Sequence, residues 1–169
     1  MHTIAPELQV ASWLNTAQPL SLQQLRGKVV AIYAFQMLCP GCVSHGIPQA
    51  KTIRDTFTKQ DVAVIGLHSV FEHHAVMNRE ALEAFVHEYR IEFPVAIDQP
   101  SGHGPIPLTM EQYQLRGTPT LILIDRQGRL RLSHFGRADD MKVGALIGQL
   151  VAEAAPADAA CDDDGCSIR

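Results

Sequence analysis

Aromatic side chains are scarce in this sequence, at 6% of 169 residues, with Trp13 the single tryptophan. That leaves little material for a base-stacking platform. Positive charge is also in short supply: 14 Lys and Arg face 18 Asp and Glu, a formal charge of −4 with histidine neutral. No field invites a phosphate backbone, so nucleic acid is not expected as a partner. Long apolar runs are missing too. The longest, Val29 to Phe35, is far short of the roughly 20 residues that a membrane-spanning helix needs. The amino terminus, MHTIAPELQVASWLN, has no basic segment followed by an apolar stretch, so neither a signal peptide nor membrane insertion is expected, and the expected location is cytoplasmic. Nucleotide and serine-nucleophile motifs are absent as well. Gly102-His103-Gly104 lies in a proline-rich loop without strand-to-helix context, and no serine sits in a G-x-S-x-G setting.

Cysteines number only four, in two close pairs, Cys39 with Cys42 and Cys161 with Cys166. A secreted scaffold stapled by disulfides would spread them to tie distant loops, so short paired spacings point to redox chemistry or metal binding. What the chain does have is a 46% hydrophobic composition with 19% charged residues, enough for a core that stands without staples. At about 150 residues per domain the length suits one domain. Its extent is read as 1–153, with a lead-in over 1–27, followed by an acidic, cysteine-containing tail over 154–169 that has no apolar stripe to bury.

Val29 to Phe35 is apolar nearly throughout, as a strand covered on both faces should be. Val43, Ile47, Ala50, Ile53 and Phe57 then recur at helical spacing; Pro40 suits the first turn of that helix and Pro48 should kink it. Val62 to Leu67 reads as a second buried strand. Asn78 caps a helix ending near Arg90, and Val95 to Ile97 is a short third strand. Gln99 to Pro107 reads as a loop, and Thr109 as the cap of a short helix through Tyr113. Thr120 to Ile124 and Leu130 to Phe135 flank the turn Asp125–Gly128 as a hairpin, and Asp139 or Asp140 caps a last helix carrying Val143, Leu146, Ile147, Leu150 and Val151. Helical crossovers between the early strands and a tight hairpin later give a mixed central sheet with helices on both faces, an α/β three-layer sandwich.

Cys39 follows a buried strand and should sit at the amino end of a helix, where unpaired N–H groups and the macrodipole favour a thiolate. Cys42 lies one turn further on the same face, close enough to attack a mixed disulfide formed at Cys39. The pair thus supplies a nucleophile and a resolving thiol. Half a zinc site and inert packing stay open as readings of a lone C-x-x-C.

The stretch V-V-A-I-Y-A-F-Q-M-L-C-P-G-C, together with Gly117-Thr118-Pro119-Thr120-Leu121 and the hairpin after it, resembles the thioredoxin superfamily. The lead-in L-S-L-Q-Q-L-R-G-K-V-V is similar to the start of TlpA-like and ResA-like thiol-disulfide oxidoreductases, which share their body with the peroxiredoxins. The similarity covers about residues 20–152, and its two anchors stand 76 positions apart, from Cys42 to Thr118. The resemblance implies a thioredoxin-like fold, a cis Pro119 facing Cys39, and a Thr118 backbone that pairs with an extended partner chain. It also implies a partner-binding rim that includes Leu38 and Pro40, and no cofactor or metal.

Three departures stand out. Leu38 replaces the tryptophan usual before the first cysteine, and Tyr33 stands where thioredoxins proper carry a buried aspartate. The intervening pair reads Pro-Gly and not Gly-Pro. Tyr33 cannot be a carboxylate base at neutral pH, which leaves Glu72 and Glu111 as more distant proton acceptors. The segment from Gly66 to Asp98 resembles the middle of TlpA-like domains and suggests that His68 ends the second strand near the active face. A strand-end histidine is, however, more often a polar surface residue. His45 is a candidate to modulate the thiol by charge, His103 to line the rim, and His73-His74 reads as solvated.

The leading expectation is therefore a dithiol enzyme exchanging electrons with protein or small-molecule disulfides, together with an unidentified reductant or oxidant. The alternatives are a thiol peroxidase, although Phe35-Gln36-Met37-Leu38 supplies no Pro, Thr and Arg array, and a non-enzymatic metal-carrying or interaction module. Cys161 and Cys166 are read as a possible second redox pair. Asp162, Asp163 and Asp164 should disfavour both of its thiolates, making it a terminal holder of oxidation and a poor initiator.

Overall fold

The computed structural model describes residues 3–154. Six strands form one sheet in the order β1-β4-β3-β2-β5-β6: β1 (Val10–Leu14), β2 (Val29–Phe35), β3 (Val62–His68), β4 (Val95–Asp98), β5 (Thr120–Ile124) and β6 (Leu130–Phe135). β2, β3 and β4 run parallel, while β5, β6 and β1 pair antiparallel to their neighbours, so the sheet is mixed. The helices are α1 (Ile47–Thr56), α2 (Arg79–Glu88), α3 (Leu108–Gln112) and α4 (Asp140–Ala152).

Strand periodicity sorts the core into two layers. Val29, Ala31, Tyr33 and Phe35 of β2 face one layer with Ile47, Ala50 and Ile53 of α1, Leu82 and Val86 of α2, and Val143, Ile147 and Leu150 of α4. Val30, Ile32 and Ala34 face the other, which is closed by Ala5 and Leu22 and, behind the short α3, by Tyr113 and Leu115. The longer helices thus share one face. Lead-in residues make much of the covering on the other, which is why β2 could be apolar at every position.

The lead-in is more ordered than its sequence suggested, because Val10–Leu14 is a strand on the edge of the sheet, antiparallel to β4. Its half-buried V-A-S-W-L has neither the alternation of a one-sided strand nor the continuous burial of a central one, so periodicity could not reveal it. A second correction concerns Thr109. The cap of α3 is Pro107, and Thr109 lies within the first turn. The carboxylate of Asp98, at the end of β4, accepts from Thr109 N (2.8 Å), Met110 N (3.0 Å) and the Ser69 hydroxyl (2.8 Å). Burial pushes the Asp98 carboxyl up, opposed by these hydrogen bonds. Asn at this position keeps one oxygen but turns an N–H group toward buried donors, so Asp98→Asn should lower stability by about 2 kcal/mol, read as a lower urea midpoint at unchanged slope. Asn78 and Asp139 do cap α2 and α4, accepting from Ala81 N and Lys142 N.

Pro48, expected to kink the helix, follows a wider turn. Its ring cannot take an ordinary place four residues after a helical carbonyl, and the preceding Cys42–Gly46 forms a π-helical turn closed by Ile47 N–H donating to Cys42 O.

Candidate redox site

β2 delivers the chain into Gln36-Met37-Leu38 and then the dithiol at the start of the helical segment. Cys39 and Cys42 stand as a disulfide with their Cα atoms 5.2 Å apart. Cys39 is partly exposed and Cys42 is 0% exposed, so only one sulfur is open to a partner. Cys42 N–H donates to Cys39 Sγ at 3.2 Å, and that sulfur lies 3.4 Å from the carbonyl oxygen of Thr118. A backbone donor and the amino end of a helix therefore meet the outer sulfur, where negative charge gains most after reduction.

The Thr118–Pro119 bond is cis, in agreement with the geometry implied by the resemblance. The helical segment approaches this proline closely because two glycines allow it. A Cβ on Gly41 would stand 3.3 Å from Pro119 Cδ, and one on Gly46 would stand 3.2 Å from Pro119 Cβ. Neither glycine was singled out from the sequence, although Gly41 lies inside the motif itself. Their reason is a contact across more than seventy positions.

Tyr33 is buried on β2, and burial, then the negative charge of Asp140, raises its phenol above the ordinary value. It therefore stays protonated and donates to Gln49 Oε1 (2.5 Å), while Gln49 Nε2 donates to Ala138 O (3.0 Å) and Asp140 Oδ1 (2.6 Å). This chain ties β2 and α1 to the start of α4. It fixes position and offers no carboxylate base in the place of Tyr33.

The remaining candidates separate. Leu38 is 59% exposed beside Cys39, and Pro40 is exposed. Glu72 accepts from Gln36 Nε2 at 3.4 Å, whereas Glu111 is engaged with His103 at 3.2 Å. Gln36, buried with 2% of its surface exposed, was missed; its Oε1 also accepts Phe71 N–H, which fastens the loop after β3 to the approach to Cys39. A polar residue ending an apolar run was its only signal. His45 is exposed and lines a cavity of about 130 Å³ with Tyr33, Gln49, Pro119 and Arg137. His68 ends β3 as expected but is buried, not a surface residue. His74 bonds the carbonyl of Pro105 through Nε2 at 3.2 Å. Among the described residues no three His, Cys, Asp or Glu side chains gather as a metal ion would require, and no helix is long and apolar enough to cross a membrane. Cys161 and Cys166 lie outside the described residues.

A thioredoxin-like sheet carrying a C-x-x-C pair against a cis proline defines a protein of the dithiol oxidoreductase class. The chain belongs to the AhpC/TSA family, whose family model matches residues 1–133. Among solved structures it is similar to a thioredoxin-like superfamily protein at 57% identity and a TM-score of 0.89, with 91% of this chain and 99% of that one covered. It is similar as well to a thiol-disulfide isomerase from Corynebacterium glutamicum, at 51% identity and a TM-score of 0.87, covering 90% and 98% of the two chains. Protein DipZ of Mycobacterium bovis is 31% identical over 156 residues, which are 90% of this chain and 21% of that protein. The chain thus spans about a fifth of the length of that curated relative.

Proposed function

We propose that the protein exchanges disulfides with other proteins or with small thiols, Cys39 attacking and Cys42 resolving. The observation that carries this reading is the asymmetry of the pair, one sulfur partly exposed beside Thr118 O and the other fully buried. In the reducing direction the Cys39 thiolate attacks a partner disulfide, forming a mixed disulfide and releasing one partner thiolate. Cys42 then attacks Cys39 Sγ, releasing the second partner thiol and closing the Cys39–Cys42 bond. Potentials set the direction, and a separate reductant or oxidant resets the pair. Thr118 and Pro119, with Leu38 and Pro40, form the surface on which the partner chain lies.

Cys42→Ser should halt the cycle after its first step. Incubated in reduced form with oxidised insulin, this variant is expected to accumulate a covalent adduct at Cys39, visible as an added mass that dithiothreitol removes. Unimpaired multiple turnover without any adduct would remove Cys42 as the resolver. Hydroperoxide turnover that depends on Cys39 and exceeds disulfide exchange would favour the peroxidase reading, and stoichiometric metal retained through Cys39 would favour a carrier. Cys161 and Cys166 are part of the proposal as a second pair exchanging with the first, tested by disulfide mapping across a graded glutathione buffer for species linking the two pairs.

A further inference from the structure

Resting on that disulfide-exchange reading, we propose that Arg116 and Arg137 make the site selective for disulfides bordered by carboxylates. Both lie on the rim of the cis proline, connected to it by short contacts. Cys39 Sγ is 3.4 Å from Thr118 O, Pro119 O accepts Gly136 N–H at 2.8 Å, and Thr120 pairs with Phe135 across β5 and β6. Phe135 is exposed and lies against Gly117, where a Cβ would come within 2.8 Å of its ring. Arg116 holds its guanidinium 5.8 Å from the centroid of that ring. Arg137, next after Gly136, lines the cavity that includes His45 and Pro119. One cation thus stands at Phe135 and the other follows it by two positions, each close in the chain to the backbone that receives a partner.

These two cations are unspent. Arg54, Arg79 and Arg131 each pair with a carboxylate, whereas among the described residues neither Arg116 nor Arg137 has one within salt-bridge distance, and both are exposed. Asp139 and Asp140 line a pocket with Arg137 and keep their charge while accepting from Lys142 N–H and Gln49, but among the described residues neither comes within ion-pair distance of it, and Glu72 accepts from Gln36. The cation–π contact with Phe135 favours one placement of the Arg116 guanidinium, so less rotamer freedom is lost when it meets an anion. Acidic residues beside the reacting cysteine of a partner would meet both groups during attack by Cys39. In that step the new Cys39–partner S–S bond forms, the partner's own S–S bond breaks, and the released partner thiolate takes its proton from solvent. Resolution by Cys42 completes the transfer of two electrons to the partner.

The sequence Cys161-Asp162-Asp163-Asp164-Gly165-Cys166 provides a probe of this chemistry. The test uses the full chain carrying Cys161→Ser and Cys166→Ser, reduced and mixed with either of two oxidised peptides, A-C-D-D-D-G-C-S or A-C-N-N-N-G-C-S. The second-order rate of Cys39–Cys42 oxidation is divided by the rate at which dithiothreitol reduces the same peptide, which removes the peptide's intrinsic reactivity. At low ionic strength the normalised preference for the acidic peptide should be about five- to tenfold, as two exposed ion pairs can supply, and should fall as salt rises. Adding Arg116→Gln and Arg137→Gln should bring that ratio to near one. A ratio near one before those substitutions, or an undiminished ratio after them, would overturn the proposal. If neither oxidised peptide oxidises the reduced protein and neither reduced peptide reduces its Cys39–Cys42 disulfide, the disulfide-exchange reading falls, and the selectivity with it.

Discussion

Cys39→Ser is expected to reduce insulin-disulfide turnover to the uncatalysed background, a loss on the order of a thousandfold or more, because a serine hydroxyl at neutral pH has none of the thiolate's nucleophilicity. The fold should survive. Cys39 is partly exposed, the replacement is close in size, and the ring closed by the disulfide spans a sequence separation of only three. The comparison that matters is with reduced wild type, so that loss of the cross-link itself is not counted. Cys42→Ser should differ in kind, since it retains the attacking sulfur and loses only the second step. Equal turnover in Cys39→Ser and wild type, measured by insulin precipitation with dithiothreitol as reductant, would remove the dithiol from the reaction altogether.

The reason Cys39 can attack lies in packing that its own sequence motif shows only in part. The C-x-x-C spacing and the buried strand before it were legible because each is a local pattern with a local cause, whereas the cis Pro119 facing Cys39 was implied by the resemblance alone. The caps at Asn78 and Asp139, whose side chains bond N–H groups three residues ahead, were legible for the same reason. What remained hidden depends on contacts between distant positions. Gly46 looks like any helix glycine until Pro119 is found against it, and Gln49 looks like a surface residue until Tyr33 and Asp140 are found at its two ends. Asp98 is similar. As the last residue of a strand it reads as a stop signal, yet it organises the start of α3 through two backbone N–H groups. β1 escaped detection because its partner β4 is some eighty positions away and its own half-buried pattern fits neither strand template. In each case the amino acid was compatible with several environments, and tertiary packing chose among them.

Acid should destabilise this protein through His68 more than through any carboxylate near it. The imidazole is 1% exposed, its Nε2 has no hydrogen-bond partner among the described residues, and its ring lies 5.3 Å from that of Phe35. Burial pushes its pKa down from 6.5 to about 4, so the folded protein holds it neutral where the unfolded chain would bind a proton. Its contribution to stability is therefore fully present above pH 6.5 and is lost as pH falls toward 4, where the native state begins to take up the proton as well. At 1.36 kcal/mol per pH unit the loss is about 3 kcal/mol over the window and about 2 kcal/mol by pH 4.5. Asp98, His74 and Arg79 share the wall of the neighbouring cavity. Asp98 acts in the opposite sense, because its raised carboxyl pKa gives stability that is present at low pH and declines as pH rises through the folded value. His68→Phe removes the titrating ring while keeping a planar side chain against Phe35, and it leaves Asp98 to titrate alone. Urea unfolding at pH 7 and pH 4.5 should show the variant losing about 2 kcal/mol less than wild type between the two conditions. Equal losses in the two proteins would mean that His68 is already protonated in the native state at the lower pH.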